Sequence, residues 1–155
     1  MAIGIKRNQY GGGGQRERIL YDAGSWSIAY DNPGSYTYTG VTVQGATINA
    51  NNVSLDGSSS AVKCIGSTNK IDVTNYSLLK IRAKRSGTGT CELSLRNNKA
   101  INDGANVVAY TIINNSNDYV ESVIDVSGLS GKYYLSLYIT TSSPQNTTFD
   151  KLWLE

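Results

Sequence analysis

The sequence contains no histidine, which removes at once the commonest general base, the usual base of a nucleophilic triad and the commonest neutral metal ligand. Its two cysteines, Cys64 and Cys91, are too few for a thiolate metal site. Charge is sparse too, with Asp, Glu, Lys and Arg at 17% of the 155 residues, so the surface is a neutral polar one. No apolar run approaches the ~20 residues of a membrane-spanning helix, and Met1-Ala2-Ile3-Gly4-Ile5-Lys6-Arg7 lacks the continuous apolar core of a secretory signal. These features imply synthesis in a cytoplasm and no membrane insertion. A sustained helical period is also lacking, which argues against a helical bundle.

Ser, Thr, Asn, Gly and Tyr are abundant instead. Thr and Tyr pack well on a pleated surface, while Asn, Gly and Ser supply turn conformations. Short apolar or alternating segments recur between the reversals Asp31-Asn32-Pro33-Gly34, Asp56-Gly57, Ser86-Gly87-Thr88-Gly89 and Asn102-Asp103-Gly104. Strands are predicted at 18–22, 26–30, 36–43, 46–49, 53–56, 61–65, 71–73, 78–85, 91–96, 106–113, 119–125, 132–140 and 148–154. This pattern describes an all-β chain, an antiparallel β-sandwich of jelly-roll type. Period-two alternation turns Leu135, Leu137 and Ile139 inward and Tyr134, Ser136 and Tyr138 outward, so Ser136 is expected to tolerate replacement. It turns Trp153 away from the core side occupied by Leu152 and Leu154, and makes Cys64 and Cys91 small apolar core residues, although a disulfide between neighbouring strands stays open.

Residues 1–17 stand apart as an extended basic arm ahead of the sandwich at 18–155. The run Gly11-Gly12-Gly13-Gly14 cannot hold a regular element. Lys6, Arg7, Arg16 and Arg18 against Glu17 concentrate three net positive charges there and leave the body slightly negative. Ordering such a segment costs on the order of 1–2 kcal/mol per residue. A neighbouring subunit is therefore expected to hold it through the apolar anchors Ile3, Ile5 and Tyr10 and the charged anchors Lys6, Arg7, Arg16 and Arg18.

The body carries one cationic group, Lys80, Arg82, Lys84 and Arg85, with the first three on one side of a strand, a solvated sheet face rather than a nucleic-acid track. Carboxylates that could pair for glycoside hydrolysis are Asp22, Asp31, Asp56, Glu92, Asp118, Glu121, Asp125 and Asp150, but most lie at turns or strand ends, where Asp caps backbone N–H groups. No phosphate-binding loop or nucleophile elbow is present, so an enzyme is not expected. Sugar binding by a sandwich needs flat exposed rings with polar neighbours. Trp26, Tyr30, Tyr36 and Tyr38 around Asp31 and Asn32 make the best such cluster, with tyrosines that half-cover a sheet face or an intersubunit surface as the structural alternative.

Three segments carry a resemblance. Ile71-Asp72-Val73-Thr74-Asn75-Tyr76 leads into Leu78-Leu79-Lys80-Ile81. Ile124-Asp125-Val126-Ser127-Gly128-Leu129-Ser130-Gly131-Lys132-Tyr133-Tyr134 follows, with Leu129 free to tuck under the sandwich edge, and Phe149-Asp150-Lys151-Leu152-Trp153-Leu154-Glu155 closes the chain. Together they resemble carbohydrate-binding-module, or galactose-binding-like, jelly rolls, versions of which are appended to tail and surface proteins of bacteriophages and prophages. The resemblance implies a structural component of a bacteriophage virion (capsid decoration, head fibre or tail-associated protein). Such a protein would assemble with other virion proteins or with itself as a homo-oligomer, and could bind a host surface glycan. The alternative is a carbohydrate-binding module as such. A module cut from an enzyme is expected to carry a catalytic domain beyond its linker, and a sequence that opens on Met1 and holds only the arm and the sandwich favours the first expectation. Sandwiches of this kind often hold a structural calcium near the two chain ends, where Asp22 and Asp150 are the weakly matching positions; no other metal or cofactor is expected.

Overall fold

The computed structural model describes residues 17–57, 61–140 and 145–155. Among the described residues fourteen strands form two sheets packed face to face: β1 (Arg18–Asp22), β2 (Ser25–Trp26), β3 (Tyr30–Asp31), β4 (Val43–Gly45), β5 (Thr47–Ile48), β6 (Val53–Asp56), β7 (Val62–Ser67), β8 (Ile71–Asp72), β9 (Leu78–Gly87), β10 (Cys91–Arg96), β11 (Val107–Ile112), β12 (Ser116–Asp125), β13 (Lys132–Ile139) and β14 (Gln145–Leu154). Sheet A runs β12-β9-β14-β1-β2, with β6 also pairing β14 and β5 pairing β6. Sheet B runs β11-β10-β13-β7-β3, with β4 joined to β7 as a parallel pair and β8 to β13. The chain is an antiparallel β-sandwich of jelly-roll type.

The alternation read from the sequence builds the core. Leu79, Ile81 and Ala83 of β9, Leu93 and Leu95 of β10, Leu135, Leu137 and Ile139 of β13, and Phe149, Leu152 and Leu154 of β14 meet between the sheets, nearly all without solvent contact. Leu129 packs against this cluster from the 126–131 turn, as the plug reading anticipates.

Two expectations need correction, and the question left open at the cysteines is answered. Of the segment 36–43 only Val43 is in a strand; 36–42 folds over the outer face of sheet B and bridges the neighbouring 97–103 turn at Thr37 and Ala100. Beneath it lies a second small core of Tyr36, Val62, Cys64 and Ile101. Ser136, expected on a wet face, is therefore buried and bonded to Ser94 at 3.0 Å. The two cysteines are free and buried, and they face opposite sides of sheet B. Cys91 pairs Ile139 in the main core, whereas Cys64 pairs Tyr138 on the covered outer face, so a bond between the two thiols would have to cross the sheet.

The arm residues Ile3, Ile5, Lys6, Arg7, Tyr10 and Arg16 lie outside the described residues. Arg18, assigned with them, belongs to the sandwich: it pairs Leu154 at the start of β1, and its guanidinium reaches the Asp72 carbonyl at 3.5 Å.

Candidate functional site

The six residues expected to bind a glycan do not form one platform. Tyr36 is 3% exposed, its hydroxyl 2.7 Å from the Leu135 carbonyl and 2.9 Å from that of Ser67. Burial drives its phenol pKa far upward, so it persists as a donor. That ring is a core side chain and offers no face to a sugar. Asn32 clamps Ala46 through both its amide atoms, at 2.9 and 2.6 Å. Asp31 accepts from Lys99 at 2.5 Å, Thr68 at 2.9 Å and Ser35 at 3.2 Å. Tyr38 packs on the small outer core. Trp26 and Tyr30 stack at 4.6 Å between ring centroids, joining β2 of sheet A to β3 of sheet B at one edge of the sandwich. Trp26 also meets Tyr21 and Phe149, so it packs as an edge plug, and Tyr30 is the more open ring of the pair at 38% exposed.

Sheet B has little open outer surface near these residues, because two segments cover it. Arg96 is almost fully buried there: it donates to Glu92 at 2.9 Å, to Ser94 at 2.9 Å and to the Ala100 carbonyl at 3.2 Å, tying the 97–103 turn to the sheet. Lys99 on that turn binds Asp31 of β3 and the Ser35 hydroxyl just ahead of the other covering segment.

The outer face of sheet A is different. Alternation places Lys80, Arg82, Lys84 and Ser86 of β9 in one column, flanked by Tyr119, Glu121 and Val123 of β12 and by Asn146, Thr148, Lys151 and Trp153 of β14. Both flanking strands are irregular at the same level. On β12 the register slips between Ser116, opposite Arg85, and Val120, opposite Ala83. On β14 it slips between Phe149, opposite Ala83, and Lys151, opposite Arg82. Extra residues bend a strand and increase its twist, which opens space on the sheet surface and re-aims side chains. Here they leave a concavity of about 300 Å³ lined by Lys84, Arg85, Ser86, Ser116, Asn117, Asn146 and Thr148. Alternation directs the Arg85 side chain inward, where it bonds the Gly89 carbonyl.

Aromatic and ionic side chains continue from this concavity along the face. Tyr119 is 36% exposed with the Lys84 ammonium 5.2 Å from its ring centre. Burial, then the Asp150 charge, raises its phenol pKa, with Arg82 opposing. Arg82 grips Asp150 by two parallel bonds of 2.8 and 2.9 Å. Trp153 points outward as read from the sequence, yet it is 5% exposed, because Lys80 and Lys151 lie over its ring at 5.8 and 4.5 Å.

The carboxylates have structural duties. Asp72 and Asp125 cap the turns at Thr74 and Ser127, and hydrogen bonds from those residues hold both carboxyls below the usual range. Glu155 is held down first by its hydrogen bond from Lys80. For Asp31, burial alone would raise the carboxyl, but the bonds from Lys99, Thr68 and Ser35 outweigh it and lower the pKa. Every carboxyl with a resolved shift thus moves away from the protonated form that a general acid needs near neutral pH. Among the described residues no group of three or more Cys, Asp or Glu converges on a metal-sized site. The calcium position expected at Asp22 and Asp150 does not fit, since Arg82 occupies both Asp150 oxygens. No helix of the described residues is long and apolar enough to cross a membrane.

The sequence named Lys80, Arg82 and Lys84 as a solvated face, and they do share one. The β12 and β14 irregularities that shape that face had no sequence signal, since Ser116-Asn117-Asp118 reads equally well as a turn.

No protein-family model matches the chain, and no curated protein matches it. Solved structures do. A mutant of a family 29 carbohydrate binding module superposes with a TM-score of 0.57 at 13% identity, covering 90% of this chain and 90% of that one. Another mutant of such a module, complexed with mannohexaose, gives 0.56 at 14% identity over 90% of each chain. A glycoside hydrolase domain structure of Endo-D from Streptococcus pneumoniae gives 0.51 at 15% identity, with 92% of this chain matched to 20% of that one. At these identities what is shared is the fold: the chain has the β-sandwich of the carbohydrate binding modules it resembles.

Proposed function

We propose that this chain is a non-catalytic carbohydrate-binding module that receives an oligosaccharide or polysaccharide on the outer face of sheet A. The observation that carries the reading is the concavity of about 300 Å³ beside the exposed Tyr119 ring, lined mainly by hydroxyl, amide and ammonium groups. A ring face binds the apolar C–H surface of a sugar, while side-chain hydroxyls, amides and a lysine serve its oxygens. The volume lies at the lower end of the roughly 300–1,000 Å³ typical of ligand sites. The fold is that of modules whose solved structures include a complex with mannohexaose, and most of the carboxylates, Asp31, Asp72, Asp125, Asp150 and Glu155 among them, are committed to caps and ion pairs, which supports binding without turnover. The attachment to a virion expected from the sequence rests on the arm and on the sequence resemblance. Residues 1–16 lie outside the described chain, and the glycan-binding reading replaces the virion role as the main one.

A glycan array followed by titration of the best ligand tests this. Wild type should bind, and Tyr119→Ala and Asn146→Ala should each weaken binding about tenfold or more with unchanged thermal unfolding. If Tyr30→Ala abolishes binding while Tyr119→Ala does not, the site belongs at the β2–β3 edge. Binding to no glycan on the array overturns the reading.

A further inference from the structure

We infer that the concavity around Lys84 is a subsite for the negatively charged group of an acidic sugar, a carboxylate or a sulfate ester; this rests on the glycan-binding reading above. Cations and acids on the outer face of sheet A are matched in rows, and one row is left over. Lys80 has Glu155 at 2.9 Å and Glu121 at 3.7 Å. Arg82 has both oxygens of Asp150. Lys151 has Glu17 at 2.5 Å. Lys84 stands next in the same column, opposite Thr148 and over the Tyr119 ring, with no carboxylate at ion-pair distance among the described residues. No carboxylate lines the concavity either.

An unpaired lysine on a convex surface is simply solvated. This one stands at a recess where some neighbouring donors are also free, although Arg85, Ser116 and Thr148 bond within the sheet. Neither the Asn117 amide nor the Ser86 hydroxyl makes a hydrogen bond among the described residues. Asn146 accepts from the Thr148 hydroxyl at 3.3 Å, while its amide nitrogen has no such partner. An ammonium with neutral N–H and O–H donors around it, and no competing acid, is the donor set that a multi-oxygen anion requires. The Tyr119 ring beside it would hold the sugar that bears the charge. Lys84 therefore sets a preference for charge on a surface that is otherwise internally neutralised.

The test titrates wild type, Lys84→Gln and Lys84→Arg with three oligosaccharides of matched length: a hexuronate oligomer, a sulfated oligomer and mannohexaose, each at low and at moderate salt. Wild type should prefer one acidic ligand over mannohexaose by about tenfold or more, with the preference shrinking as salt screens the contact. The favoured ligand names the charged group. Lys84→Gln should bring the acidic-to-neutral ratio close to one, and Lys84→Arg should keep most of it. Equal or better binding of mannohexaose by wild type, or a preference that survives in Lys84→Gln, overturns the subsite and leaves the glycan-binding reading standing. Binding of none of the three overturns the subsite, and silence on the wider array as well removes the glycan-binding reading too.

Discussion

The hydroxyl of Tyr36 rests 2.7 Å from the main-chain carbonyl of Leu135, on the outer side of sheet B and 99 residues further along the chain. Gly66 of β7 makes this approach possible, because a Cβ there would collide with both the tyrosine hydroxyl and the Leu135 carbonyl. Tyr36→Phe removes the buried donor shared by the Leu135 and Ser67 carbonyls, at a cost of about 1–3 kcal/mol. Gly66→Ala should destabilise at least as much, since backbone or the whole ring must move. Denaturant melts of both variants check this, and a neutral Gly66→Ala would mean that the covering segment is not held as described.

Asp31 of β3 anchors the 97–103 turn through Lys99 and accepts from the Ser35 hydroxyl just ahead of the covering segment. Its folded carboxyl is lowered, so its contribution to stability is fully present above the unfolded value of about 4 and is lost as pH falls through the lower folded value. Wild type should lose stability on acidification below about pH 4, and Asp31→Asn should lose less over that window while starting from a lower stability at neutral pH. Parallel acid-dependent melts that fall equally for both proteins would remove Asp31 as a contributor.

Period-two alternation was enough to recover most of the sandwich from the sequence. Leu135, Leu137 and Ile139 point inward as read, and so do Leu93, Leu95, Leu152 and Leu154. Alternation assigns a side of a sheet but does not reveal what covers it. Ser136 and Cys64 therefore read as a wet residue and an ordinary core residue, whereas both lie under the two covering segments, which reach the sheet through Tyr36 and Ile101. The aromatic cluster is divided for the same reason. Proximity along the Asp31–Gly34 turn brings Trp26, Tyr30, Tyr36 and Tyr38 together in sequence, but Trp26 enters the edge of the main core and Tyr36 the outer one. Strand irregularities such as that at Ser116–Val120 depend on pairing with a distant strand, so no local pattern announces them.

The thiols of Cys64 and Cys91 should be inert in the folded protein. Both are completely buried, and burial raises both pKa values, that of Cys91 to about 12. The thiolate is the reactive form, so a thiol reagent at neutral pH should modify neither residue until denaturant is added. Mild oxidation should likewise give no bond between them, because they face opposite sides of sheet B. Mass spectrometry before and after unfolding reads both results, and rapid native labelling would contradict the burial.

Trp26 and Tyr119 separate the structural aromatic from the functional one. Trp26 stacks on Tyr30 and packs against Tyr21 and Phe149 at the margin of the main core. Truncating a large buried ring costs about 3–5 kcal/mol, and the half-exposed setting places Trp26→Ala near the low end, about 3 kcal/mol. Tyr119 sits on the open face with Lys84 as its near neighbour. Its removal forfeits a surface cation–π contact of about 0.5–1 kcal/mol, so Tyr119→Ala should melt close to wild type. The two variants should therefore split by property: Trp26→Ala loses stability and, at a temperature where it stays folded, retains glycan affinity; Tyr119→Ala retains stability and loses affinity. A Trp26→Ala protein that is fully stable but no longer binds would return the site to the β2–β3 edge and withdraw it from the face of sheet A.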